Sequence, residues 1–300
     1  MSSISSLAAT RFADADFGTL DDLKPAAIVI LGVPADSPAP QRSGTAAGPL
    51  GLREASHAVL QPYLSSPSQT VTDIETGRKT RLRGDSAVLD IGDLLTCNPW
   101  TSKVSQTVAT LVGEIMSQKA MPLLLGGDSR VVEALLNGLT IEGDAPACII
   151  LSNKLIPVPN ASNAHLFVGI NGLQPATQWK TCRDAGGIVL SAEHIHVTGI
   201  EAAIDTIDAY VRMNERLAVC LDLEILDSGY AAGTPGINVG GLTPEQLTAM
   251  LSGIDLADKL AGIVAVNVAP ALDPRGLTEF AAMEALLAIL NTQLFEDVST

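Results

Sequence analysis

The sequence predicts an α/β fold on a mainly parallel sheet of eight strands, and two observations carry that prediction. Short β-branched runs recur without the apolar/polar alternation of a half-exposed strand, so each run must be covered on both faces. Between them lie segments with apolar residues at i, i+3 and i+4, the period of a helix packed on a sheet. The strand runs are AIVILGV (27–33), SAVLDI (86–91), PLLLG (122–126), ACIILS (147–152), LFVGI (166–170), GIVLS (187–191), LAVCLD (217–222) and GIVAVNV (262–268). Helical periodicity covers 103–119, 130–139, 199–213, 243–254 and 278–295. At the fourth of these, Thr243 supplies a cap and Pro244 suits the first helical position.

Composition agrees with a globular chain. Of 300 residues, 47% are hydrophobic and 17% charged, which excludes disorder as the dominant state. A domain of this length buries roughly three-quarters of the surface of its unfolded chain. Aromatics contribute only 3%, so the core must be built from aliphatic side chains. There is no internal repeat, low-complexity tract or interdomain linker, and residues 1–300 read as a single domain with an N-terminal extension over 1–25.

The net charge of −15 disfavours binding to nucleic acid or to anionic lipid, because both polyanions are repelled. No apolar run approaches the roughly 18 residues of a membrane helix. The N-terminus, MSSISSLAATRF, has no apolar signal core and is followed at once by Asp14 and Asp16, which excludes a secretory signal. A cytoplasmic protein is the expectation, with organellar import as the alternative. Cys97, Cys148, Cys182 and Cys220 are far apart and form no CxxC pair, so they read as free thiols in a reducing compartment. Neither the G-x-G-x-x-G nor the G-x-x-x-x-G-K-[ST] phosphate loop is present.

Two Pro/Gly/Ser-rich stretches, 34–51 and 228–241, directly follow strand runs. In open α/β sheets, ligands bind in loops beyond the carboxyl ends of the strands. Chemistry is therefore expected there. The loop blocks are LGVPAD (31–36) with Arg42, Gly44, Gly48-Pro49 and Arg53; LDIGDL (89–94); LLLGGDSR (123–130); LDLEILDS (221–228) with GTPGINVGGLT (233–243); and VNVAPALD (266–273).

Together, and in this order, these blocks resemble the ureohydrolase family of arginases, agmatinases and formiminoglutamases. The resemblance implies a three-layer α/β/α domain and hydrolysis of a guanidinium or amidine group by hydroxide held between two Mn²⁺ ions. It further implies a homo-oligomer, a trimer or hexamer. The implied metal ligands are a His after Gly-Gly-Asp, an Asp-Ala-His-x-Asp block on the fourth strand, and two Asp in an Asp-x-Asp block.

Here those positions read differently. Ser129 stands at the first His; Ser152, Lys154 and Ile156 stand at the Asp, His and Asp of the fourth strand; Asp222 matches and Glu224 is one methylene longer. Shifting the fourth-strand register by one residue offers Asn153, Leu155 and Pro157 instead. Asn267 occupies the position of the last-strand Glu that would pair with a guanidinium, and only residues 158–165 separate Pro157 from the next strand run. Hard divalent ions need carboxylate and imidazole ligands. The expectation is that Mn²⁺ does not bind, that no cofactor is required and that the protein is a pseudoenzyme with a binding, regulatory or assembly role; the alternative is a divergent hydrolase of guanidino or amidino C–N bonds that uses one metal or none.

Other residues have two readings each. Asp128 is either a remnant of the metal surroundings or a cap for the next helix. Asp222 and Glu224 either hold one cation or form a hydrogen-bonded pair. Lys154 either forms an ion pair with them, within about 4 Å, or extends its stem to solvent. Thr234 belongs to the retained Gly-Thr-Pro loop at the cleft. His194 and His196 are too isolated for a metal site.

Overall fold

The computed structural model describes residues 4–5, 10–22, 27–36, 42–59, 70–72, 74, 77, 79–83, 88–95, 97–141, 143–158 and 164–298. In chain order the elements are β1 (Ile4–Ser5), β2 (Asp16–Phe17), β3 (Ile28–Val33), α1 (Gly48–Val59), β4 (Thr70–Thr72), β5 (Lys79–Leu82), β6 (Val88–Leu94), α2 (Ser102–Ser117), β7 (Met121–Gly126), α3 (Arg130–Leu139) and β8 (Ala147–Leu151). They continue with β9 (Leu166–Ile170), α4 (Ala176–Asp184), β10 (Ile188–Ser191), α5 (Ala192–Thr198), α6 (Ile200–Met213), β11 (Leu217–Asp222), α7 (Pro244–Ser252), β12 (Leu260–Val266), α8 (Leu277–Leu294) and β13 (Phe295–Asp297).

The eight expected strands lie side by side in the order β6-β3-β7-β12-β11-β8-β9-β10, all parallel. The start of the second run, residues 86–87, lies outside the described residues. The strand count needs a correction: β1 pairs antiparallel with β6 and β2 pairs parallel with it, so the N-terminal extension adds two short strands at that edge. Each is two residues long, too short for periodicity to reveal. A separate antiparallel sheet joins β4, β5 and β13.

Side chains of the parallel strands divide between two cores, as the two-residue period of a strand requires. Ile28, Ile30, Leu123, Leu125, Ile149 and Leu151 face α1 and α5 to α8; Val29, Leu31, Leu124, Cys148 and Ile150 face α2 and α3. That gives the three layers. Thr243 caps α7 with Gln246 in a reciprocal capping box, and Pro244 occupies the first turn. All four cysteines are free and buried. Among the described residues, no helix is long and apolar enough to cross a membrane.

Helix α1 overlaps a stretch that reads as loop, because Gly48, Pro49 and Gly51 argue against a helix. The glycines are needed for contact. A Cβ on Gly48 would lie 2.7 Å from the Val268 carbonyl oxygen, and one on Gly51 would lie 2.6 Å from Pro270. The helix thus starts hard against the chain leaving β12, and brings Arg53 inside.

Because the strands are parallel, β7, β12, β11 and β8 present their carboxyl ends along one edge of the sheet. The chain leaving each end carries one of the motif blocks. This geometry, rather than proximity in sequence, gathers the site.

Candidate functional site

At this edge Asp222 ends β11 and Glu224 follows in a single 3₁₀ turn. Both are buried, at 0% and 1% exposure. Asp222 Oδ2 accepts a hydrogen bond from the Ser152 hydroxyl at 2.9 Å, and Oδ1 accepts from Asn267 Nδ2 at 2.8 Å and from the Glu224 amide at 3.0 Å. Glu224 Oε1 accepts from the Gly236 amide at 2.8 Å. Its Oε2 lies 2.5 Å from the Lys154 amine. The ion-pair reading of Lys154 therefore holds.

Local backbone positions each partner. Ser152 Oγ also accepts from the Lys154 amide at 3.2 Å, fixing the turn that aims the lysine at Glu224. Asn267 has φ of 64°, a left-handed conformation that Asn tolerates better than most residues. It directs the amide group back over β11. Gly236 must lack a side chain, since a Cβ there would stand 2.8 Å from the Glu224 carboxylate.

The electrostatics follow from burial and crowding. Burial, then repulsion from Glu224, push the Asp222 carboxyl up to about 6, although Lys154 and the Asn267 hydrogen bond pull the other way. Burial lowers the Lys154 ammonium, but attraction to Asp222 and Glu224 outweighs it and the net shift is upward. The cluster holds two carboxylates and one ammonium.

The remaining candidates divide. Ser129 and Ile156 line the same cleft as Lys154, a space of about 430 Å³ that also includes Asn153, Asn171 and Gln174. Ile156 also packs on the second core. In the alternative fourth-strand register, Leu155 is buried in that core, so Ser152 and Lys154 are the residues that face β11. Asp128 is engaged at the start of α3: it accepts from the Arg130 amide at 3.0 Å and binds the Arg130 guanidinium through both oxygens. Thr234 is bonded within its own loop, to the carbonyls of Gly236 and Ala231, and its carbonyl accepts from Arg42.

The sequence reading missed Gly236 and Asn238. Asn238 Nδ2 donates to the carbonyls of Glu224, Ile225 and Leu226 and pins the 233–241 loop over the cluster. The only available signal was their place inside the Gly-rich block. His196 bonds the Gly240 carbonyl at 3.3 Å, a loop contact.

The residues present are a poor match for a binuclear manganese centre. Among the described residues, no three His, Cys, Asp or Glu side chains converge in a group that could hold a metal ion. An ammonium sits against one of the two carboxylates, and a hydroxyl and a carboxamide engage the other.

A family model described as the arginase family matches residues 26–152 and 156–291. An agmatinase of Blochmanniella floridana is 25% identical over 278 residues, covering 89% of this chain and 88% of its own. Among solved structures, proclavaminate amidino hydrolase from Streptomyces clavuligerus superposes with a TM-score of 0.76 at 20% identity, covering 95% of this chain and 96% of that one. Arginase from Bacillus subtilis gives 0.71 at 21% identity, with 88% and 98% covered. At such identities the structural likeness speaks for the fold, whereas the family match spans nearly the whole chain between its two segments. The chain belongs to the arginase family.

Proposed function

We propose that this protein is an arginase-family member that has lost the binuclear manganese site, does not hydrolyse guanidino or amidino groups, and acts by binding or assembly. The observation that carries the reading is the 2.5 Å contact between the Lys154 amine and Glu224, which puts a tethered cation beside the carboxylate pair. Ser129, Ser152 and Ile156 support it, since none is a good ligand for a hard divalent ion. Without metal-bound hydroxide, an attacking water keeps the high pKa of bulk water. Asn267 is already engaged with Asp222 and offers no charge to a guanidinium. A homo-oligomer, trimer or hexamer, belongs to the same reading on the strength of the family alone; a protein partner follows from the binding role, and a cytoplasmic location from the free cysteines.

A second reading, a hydrolase using one metal or none, is favoured by Asp222. A buried carboxyl pushed up to about 6 can exchange a proton near neutral pH.

One experiment separates the two. The purified protein is dialysed against Mn²⁺, desalted, analysed for metal and offered arginine, agmatine and formiminoglutamate. The expected outcome is well under one metal per chain and no urea or formamide above background. Two tightly held metals, or turnover in the usual range of about 1 to 10³ per second, would overturn the proposal.

A further inference from the structure

Neighbouring parallel strands are ordinarily joined by a crossover helix. Between β8 and β9 only residues 152–165 are available, and the segment after Lys154 instead lays Leu155, Ile156 and Val158 directly on the second core. On the far side, α4 buries a single residue, Cys182. Among the described residues the layer is thin here, and between this segment, β9 and α4 lies a cavity of about 170 Å³.

We propose that this cavity is a binding site for a small, uncharged, ring-sized molecule that carries a hydroxyl group. The volume suits such a ligand, since an apolar cavity of about 150 Å³ holds benzene. Leu155, Ile156, Val158, Phe167 and Ala185 form apolar walls. His165 supplies the buried polar contact, the other polar lining groups, Thr177, Gln178 and Thr181 of α4, being at least partly open to solvent: it lines the cavity, is 5% exposed, and neither ring nitrogen has a hydrogen-bond partner among the described residues. Buried polar groups without partners are rare and costly. Burial pulls the imidazole down to about 4, so at neutral pH the ring is uncharged and offers one donor and one acceptor. A hydroxyl is complementary to either nitrogen. No Asp, Glu, Lys or Arg lines the cavity among the described residues, so a charged ligand would be desolvated without a counter-ion. Cys182, also in the lining, has its thiol raised by burial and stays protonated.

The test titrates phenol, benzene and benzoate into the full-length protein, followed by calorimetry and by the His165 ring signals in NMR. Phenol is expected to bind saturably and shift those signals, benzene to bind roughly five- to tenfold more weakly for lack of one hydrogen bond, and benzoate not to bind. Ala185→Leu, which fills the cavity, should abolish phenol binding. His165→Phe should bring phenol and benzene to parity. If phenol fails to bind the natural protein, binds Ala185→Leu as tightly, or shows no preference over benzene, the proposal is wrong. Should His165→Phe fail to fold, Ala185→Leu and the benzene comparison decide the matter.

Discussion

Two ion clusters built around buried carboxylates in this molecule have the same formal charges and opposite character. In the first, Arg53 of α1 faces Asp90 and Asp93 of β6; in the second, Lys154 faces Glu224 and Asp222 at the end of β11. Arg53 uses its planar fork: Nε and Nη2 donate to the two oxygens of Asp90 at 2.8 and 2.9 Å, and Nη1 to Asp93 at 2.6 Å. Asp90 further accepts from the amides of Phe12 and Gly92, both at 2.9 Å. The Lys154 ammonium bonds one carboxylate, leaving Asp222 to neutral donors and raised to about 6. Charge count does not set the outcome. Burial and repulsion from Glu224 raise Asp222, and donor geometry decides how much of that is relieved, because a guanidinium can satisfy two carboxylates at fixed angles and a single ammonium here reaches one.

Removing each cation is the sharpest way to break the comparison. Arg53→Met should cost about 3–5 kcal/mol, since it strands buried carboxylates without a counter-ion. Urea unfolding monitored by circular dichroism measures this. A loss below about 1 kcal/mol, the scale of an exposed pair, would mean that the cluster is not the structural tie described.

The next effect is pH dependence. Asp222 has a folded value of about 6 against an ordinary 3.8, so the folded state binds more protons in that interval. Its contribution to stability is fully present below about 3.8 and is lost as the pH rises through about 6. Asp222→Asn should remove that loss, a difference on the order of 1–3 kcal/mol between pH 4 and 7. His165, lowered from 6.5 to about 4, contributes with the opposite slope, its stability being present above 6.5 and lost as the pH falls through about 4. Comparing Asp222→Asn with the natural protein cancels that term. Parallel stability curves would contradict the raised Asp222.

Lys154→Met should cost only about 1 kcal/mol, because the side chain is 36% exposed and water takes over part of its role. The Asp222 carboxyl should titrate higher still, read by carboxyl-carbon NMR. An unchanged titration would remove Lys154 from the electrostatics of the site.

The most selective test, read from the response to metal rather than from stability itself, is a restored ligand set. Ser129→His, Ser152→Asp, Lys154→His, Ile156→Asp and Glu224→Asp together should give a Mn²⁺-dependent rise in Tm without hydrolysis. A folded variant whose Tm ignores Mn²⁺ would show that these five positions do not face a common cleft.

Much of this architecture is legible in the sequence, for a reason specific to parallel sheets. Strands covered on both faces must be continuously apolar, and the eight runs stand out. Helix α4 does not, because with one buried residue it has no apolar stripe to detect. Strands β4, β5 and β13 are half-exposed and polar, so KTRL and FED carry no strand signal. In the site, the pairing of Lys154 with the β11 carboxylates follows from aligned strand ends. The roles of Gly236 and Asn238 do not, since they depend on how a 3₁₀ turn and a loop fit together. The left-handed backbone of Asn267 was equally hidden.

The strand order has a consequence for the birth of the molecule. Strands β11 and β12 occupy the gap between β7 and β8, although they follow β8 by some seventy residues and more in the chain. As the polypeptide emerges from its N-terminus, β3, β6 and β7 can pair, and so can β8, β9 and β10, but among the described residues no strand pairing joins the two groups until residue 266 has left the ribosome. The cleft forms at that seam. A nascent or C-terminally truncated chain therefore exposes two unpaired strand edges, the kind of surface that recruits chaperones or aggregates.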